Sequence, residues 1–176
     1  MSHNSVYAIA TSQAQAEQIV DNLSAAGFSA NDISVLFPDK DSTHEFSHEK
    51  NTKAPEGAVT GVATGGVLGG TLGLLAGIGA LAIPGVGPLI AAGPLLAALS
   101  GAAAGATVGG IAGALIGLGI PELEAKRYEN RVSEGNILVS VHAVDGKQVD
   151  RAKEILKAAG AEDISSTSIS DAKSTR

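Results

Sequence analysis

Residues 57–121 contain no Asp, Glu, Lys, Arg or His, although the chain carries 12 Lys+Arg, 18 Asp+Glu and 4 His. This uncharged block, bounded by Glu56 and Glu122, constrains the fold more than any other feature. It also holds 19 of the 23 glycines. An ordinary soluble domain spreads its charged residues, about a quarter of the total, along the whole chain. The block is long enough for two spans of about 20 residues, the length that crosses a hydrocarbon core of about 30 Å.

The run IPGVGPLIAAGP (83–94) sets Pro84, Pro88 and Pro94 among Gly85, Gly87 and Gly93. Proline lacks an N–H and glycine supplies positive φ, so the hairpin bend is expected there, with Pro84, Gly85, Gly87, Pro88 and Pro94 forming it. Helices are expected over 58–83 and 95–120, each about 39 Å long. Gly61, Gly65, Gly69, Gly73 and Gly77 are spaced by four, as are Gly101, Gly105, Gly109, Gly113 and Gly117. Glycine costs roughly 1 kcal/mol against alanine in a helix, so ten at fixed spacing imply close backbone approach. The block therefore reads as a glycine-zipper helical hairpin, either inserted in a membrane or buried in a soluble assembly. Gly and Ala insert weakly and no Trp or Tyr belt marks an interface. The apolar tip then either re-enters the bilayer or packs against other hairpins, and both arrangements favour homo-oligomers.

The polar parts are a split duplication. Residues 5–39 read strand, helix, strand: Val6–Ala10 is apolar, Ser12 with Gln15 is a capping box, and Ala16, Ile19, Val20 and Leu23 form a helical stripe. Gly27 stops the helix, and Ile33, Val35 and Phe37 alternate as a strand. Residues 137–170 repeat the pattern, with Asp145 and Gln148 in place of the box and Gly160 in place of Gly27. Two such halves predict an α+β, ferredoxin-like split βαβ sandwich with the hairpin inserted between them. The boundaries are 1–40 for the first half, 41–56 for a polar linker and 57–121 for the hairpin. A connecting helix over 122–135, the second half over 136–170 and a tail over 171–176 complete the chain. The connecting helix starts at Pro121, stops at Gly135 and is placed to continue the second hairpin helix as a stalk. Ser34, Ser140, His142 and Thr167 are expected on an open sheet face.

Most chemical classes are excluded. There is no cysteine, which removes disulfides and thiolate chemistry. A net charge of -6 and 3% aromatics leave no nucleic-acid footprint. His44-Glu45-Phe46-Ser47-His48 matches the zincin spacing, but it lies in a Ser/Asn/Lys/Pro-rich connector without a third ligand. His44 and His48 are thus weak metal candidates, and a solvated linker is the default. Gly77-x-Gly79-x-x-Ala82 is expected inside an apolar helix, follows no strand and lacks a downstream acidic ribose partner, so it is not a dinucleotide fingerprint. No catalytic residue, cofactor or small-molecule substrate is indicated. The expected partners are the chain itself and a lipid bilayer, not nucleic acid. MSHNSVYAIA lacks a basic region and a long apolar run, and Lys50, Lys53, Lys126 and Arg127 flank the hairpin. This predicts the cytoplasmic face of the inner membrane, with the cytoplasm as the alternative.

HEKNTKAPEGAVTG (48–61), GIGALAIPGVGPLIAAGP (77–94) and IPELEAKRYENRVSEGNILVSVH (120–142) resemble small bacterial general-stress or low-temperature-induced proteins. The resemblance implies bacterial origin, a ferredoxin-like domain with a Gly-rich hairpin and a stress role, and supplies no catalytic residue. A weaker similarity is to a membrane-anchor subunit of a quinol-oxidising complex, although nothing here fits haem or quinone chemistry. The resulting expectation is a non-enzymatic, stress-associated protein that self-assembles through its glycines and inserts into or remodels the cytoplasmic membrane. The alternatives are a soluble shell or filament, or an anchor subunit of a larger complex; an enzyme using His44 and His48 is the least favoured.

Overall fold

The computed structural model describes residues 3–38, 78–83, 87–92, 95 and 110–169. The linker histidines His44 and His48, Pro84, Gly85 and Pro94, and residues 171–176 lie outside the described residues. So do eight of the ten ridge glycines, all but Gly113 and Gly117.

The chain is α+β. In order it forms β1 (His3–Ala10), α1 (Gln13–Ala25), a 3-10 turn (Ala30–Asp32) and β2 (Ile33–Pro38). Then come β3 (Ile78–Ile83), β4 (Gly87–Ala92), α2 (Gly110–Gly117) and α3 (Glu122–Ser133). β5 (Ile137–Ala143), α4 (Gly146–Ala158) and β6 (Glu162–Ile169) follow. Four antiparallel strands in the order β2-β5-β1-β6 form the core sheet, and β4 and then β3 extend it beyond β2. Tyr7 pairs with Ser140, its equivalent in the duplication, so the pseudo-two-fold axis passes through that pair.

Local signals set the helices. Ser12 Oγ accepts from Gln15 N at 3.2 Å, and Gln15 Oε1 accepts from Thr11 N at 2.7 Å. The second half does the same: Asp145 Oδ1 accepts from Gln148 N at 2.8 Å, and Gln148 Oε1 from Val144 N at 3.1 Å. Such caps satisfy N–H groups that have no partner inside the helix. All four helices among the described residues stop at a glycine with positive φ, namely Gly27, Gly119, Gly135 and Gly160. In each, the N–H of the residue after that glycine returns to a carbonyl five back, as in Phe28 N to Leu23 O and Ile120 N to Leu115 O.

Both faces of the sheet are buried across β1, β2 and β5. On one, Val6, Ala8, Ile33, Val35, Val139 and Val141 meet Ala16, Ile19, Val20 and Leu23 of α1 and Ala152 and Leu156 of α4. On the other, Tyr7, Ile9, Leu36 and Leu138 meet Ala91, Leu95, Ile111 and Leu115, together with Ala125, Tyr128 and Val132 of α3. Strands buried on two sides read as near-continuous apolar runs, as YAIA and ILVSV do.

Three expectations are corrected. Residues 78–83 and 87–92 are strands rather than parts of helices or bend. Proline disfavours the α region for the residue before it, so Pro84 and Pro88 push Ile83 and Gly87 towards extended backbone. The edge of β2 then offers ladder partners, Val35 to Ala92 through Pro38 to Leu89. Gly87 and Pro88, expected in the bend, instead open β4, and Ile83 pairs with Gly87. Next, α2 does not run on into α3 as a stalk. Gly119 (φ 89) ends it, and α3 folds back so that Glu129 reaches the start of α2. Finally, the sheet face expected to be open is covered: Ser34 is 2% and Ser140 7% exposed.

Glu129 explains one glycine outside the ridge. Its Oε2 accepts from Ala112 N at 2.8 Å, placing the carboxylate at the positive end of α2. Gly110 there has φ +99, and a Cβ on it would sit 2.5 Å from that Oε2. Gly110→Ala should therefore cost about 1–2 kcal/mol, because the carboxylate must swing away from Ala112 and the backbone is strained. Gly117→Ala meets nothing within 4 Å and should stabilise the fold by up to about 1 kcal/mol. Urea unfolding of both variants checks the contrast.

Candidate functional site

The polar residues of the second sheet face converge beneath α3. Tyr7 and Tyr128, each 2% exposed, stand with ring centroids 6.2 Å apart and planes tilted by 39°. Ser5, Ser140 and Thr167 surround the Tyr7 hydroxyl. Thr167 Oγ1 is buried without a partner in full hydrogen-bond geometry. The Tyr128 hydroxyl donates to Asp163 O at 2.6 Å and lies 2.6 Å from Ser165 Oγ.

The neighbouring stretch of β6 is bulged. Ser165 faces Tyr7 and Glu162 faces Ile9, so Asp163 and Ile164 together oppose Ala8. Asp163 has φ 50, unusual for a residue with a side chain. Its carboxylate accepts charge from α3: Arg131 Nε at 3.3 Å and Arg127 at 3.7 Å. Arg131 also pairs with Glu162 and, at 3.7 Å, with Glu134. The bulge and α3 are thus fastened by a tyrosine hydroxyl and two guanidinium groups.

Burial dominates the chemistry of both phenols. It raises the Tyr7 pKa, opposed by hydrogen bonds from Ser5, Ser140 and Thr167. It pushes Tyr128 up to about 12, with Ser165 opposing and Glu124 and Asp163 adding to the rise. Burial thus favours the protonated form of both phenols.

Ser34, expected on an open surface, has a backbone task. Its Oγ accepts from Leu95 N at 3.2 Å, pinning the uncharged segment to the sheet just after β4. Ser34→Ala should cost about 1–2 kcal/mol by leaving that buried N–H unmet, measured by denaturant unfolding. Ser140 lies beside Tyr7, and His142 is half-buried further along β5. Of the ridge glycines described, Gly113 is half-buried and Gly117 exposed on α2. Among the described residues no group of three or more His, Asp or Glu is arranged to hold a metal. A cleft of about 250 Å³ opens at the start of α4, lined by Asn4, Gly146, Val149, Asp150, Ser166 and Thr167.

The hydroxyl cluster was partly visible in sequence as Ser34, Ser140 and Thr167. Tyr7, Tyr128, Asp163 and Arg131 were missed. A signal existed for Tyr128: Ala125, Tyr128 and Val132 are spaced as one buried helical stripe.

Searches of curated proteins and of solved structures return no match. Residues 5–82, less than half of the chain, match the family described as the heat-induced stress protein YflT domain. The match takes in α1, β2, most of β1 and all but the last residue of β3, and it supports a likeness to bacterial stress proteins.

Proposed function

We propose that this is a non-enzymatic, stress-associated protein that self-assembles through its uncharged segment. One observation carries the reading. The described parts of that segment fold onto the duplicated polar halves: β3 and β4 join the sheet, and Ile111 and Leu115 of α2 pack on its second face. An uncharged stretch built into the domain and extending its edge is suited to joining copies. The likeness of residues 5–82 to a heat-induced stress family supports the stress role. The core order β2-β5-β1-β6, with α1 and α4 on one face, supports a ferredoxin-like split βαβ arrangement.

A second reading, contact with the cytoplasmic membrane, has its own support. Leu123 is 82% and Ile116 40% exposed at the α2–α3 turn, beside Lys126 and Arg127. Residues 57–77 are also uncharged and about as long as a membrane span. Among the described residues no helix is long and apolar enough to cross a membrane.

Detergent-free lysis, flotation with liposomes and light scattering of the soluble fraction separate the two. A homogeneous multi-copy particle in the aqueous phase is expected. Flotation that resists carbonate wash would replace this reading with the membrane one, and a non-floating monomer would defeat both.

A further inference from the structure

We propose that β3 is the surface through which two copies of this chain pair, one strand antiparallel to the other, an inference that rests on the self-assembly reading above. The sheet ends in two outer strands, β3 and β6, and among the described residues neither outer edge is paired. An open edge presents unpaired N–H and C=O groups to any other strand, and proteins guard such edges with charges, prolines or bulges.

The two edges are guarded very differently. β6 carries Glu162 and Asp163, bends at the bulge beside Tyr7, and is tied there to Arg127 and Arg131. A bulge breaks the regular outward ladder, and the charges would have to be stripped of water for a partner strand to dock. β3 reads IGALAI, without a charge or proline. Its register with β4 is unbroken from Ile78↔Ala92 to Ile83↔Gly87. Every second residue of such a strand turns its N–H and C=O outward, so β3 offers a regular ladder with no charge, proline or bulge in it and, among the described residues, no strand beyond it.

The occupant that fits is a second β3. An uncharged strand paired with itself brings no charge into the junction. Antiparallel self-pairing is isologous, so it closes on a two-fold axis. It also keeps the antiparallel sense of every other pair in the sheet, making one continuous sheet through both copies.

The chain has no cysteine, which makes the test direct. Full-length protein with Ala80→Cys is treated with a short bismaleimide, beside Ser166→Cys on β6 as the control edge. Ala80→Lys and Leu81→Lys, at neighbouring positions of β3, are sized by chromatography with light scattering. The expected results are cross-linked dimer at least tenfold faster at position 80 than at position 166, and a halved mass in at least one lysine variant. Retained circular dichroism in that variant would show that the domain still folds. Wild-type protein that is monomeric at all concentrations would overturn both this inference and the self-assembly reading. Multi-copy protein that keeps its mass in both lysine variants and shows no preference for position 80 would overturn β3 pairing alone. Residues 57–77 or another surface would then hold the copies together.

Discussion

Leu115→Ala is expected to lower the stability of the full-length chain by about 3 kcal/mol, read as a shift in the urea midpoint with little change in slope. Leu115 belongs to the uncharged segment, yet it is fully buried against a cluster that includes Ile9, Leu36, Leu138 and Tyr128. Those partners come from the polar halves and the connecting helix. Truncation leaves a cavity between α2 and the sheet, and its cost appears in the unfolding of the whole domain. The result separates two physical pictures of residues 110–117. If α2 docks as described, a residue between Gly113 and Gly117 governs the stability of the sheet. An unchanged midpoint would place α2 away from the sheet, where an inserted hairpin would take it. Leu123→Ala is the control: at 82% exposure it should stay within about 0.5 kcal/mol of wild type.

What could be read from sequence follows the range of the forces involved. Ser12 with Gln15 and Asp145 with Gln148 were legible because a cap needs only residues three apart, and both caps form. Gly27, Gly135 and Gly160 were legible as stops for the same reason. The β3–β4 hairpin was not. An apolar run without charge fits a buried helix or a buried strand equally well by periodicity, and the choice fell to an edge supplied by β2, some 40 residues upstream. Four-residue glycine spacing suggested a helix running on to Ile83, but Ile78–Ile83 is a strand. The covered sheet face was missed although its signals were local. YAIA and ILVSV are apolar on both faces, which fits a strand buried twice, and Ala125, Tyr128 and Val132 make a stripe that has to pack on something. Read as a stalk, α3 had no reason to meet the sheet. The bulge at Asp163 depends on Tyr128 and two arginines 30 or more residues away, so no local pattern announced it.

Alkaline titration should expose the α3 contact with the sheet. Tyr128 has its pKa raised from 10.0 to about 12, chiefly by burial, and Tyr7 shifts in the same direction. For an acid whose folded pKa is raised, the neutral form is the one the fold prefers. Below about pH 10 both folded and unfolded chains keep these phenols protonated, and the full stability is present. Between about pH 10 and 12 the unfolded chain ionises first, so stability falls with pH, and above about 12 the loss levels off. For Tyr128 the loss should be about 1–2 kcal/mol, since a pKa unit is worth 1.36 kcal/mol and partial screening trims the shift. Tyr128→Phe should cost about 1–2 kcal/mol at pH 8 through the lost bonds to Asp163 O and Ser165 Oγ. That deficit should shrink towards pH 12, because phenylalanine has no proton to lose. Unfolding curves of both proteins from pH 8 to 12 measure the convergence, and the comparison cancels the titration of surface lysines. The chain has 2 Tyr and no Trp, so absorbance follows the phenols directly. Ionisation of both near pH 10 while the circular dichroism stays native would mean that α3 leaves this face open to water. The hydroxyl cluster would then be a surface after all. Delayed ionisation, arriving together with unfolding, would establish it as the buried polar seam that joins α3 to the bulged strand.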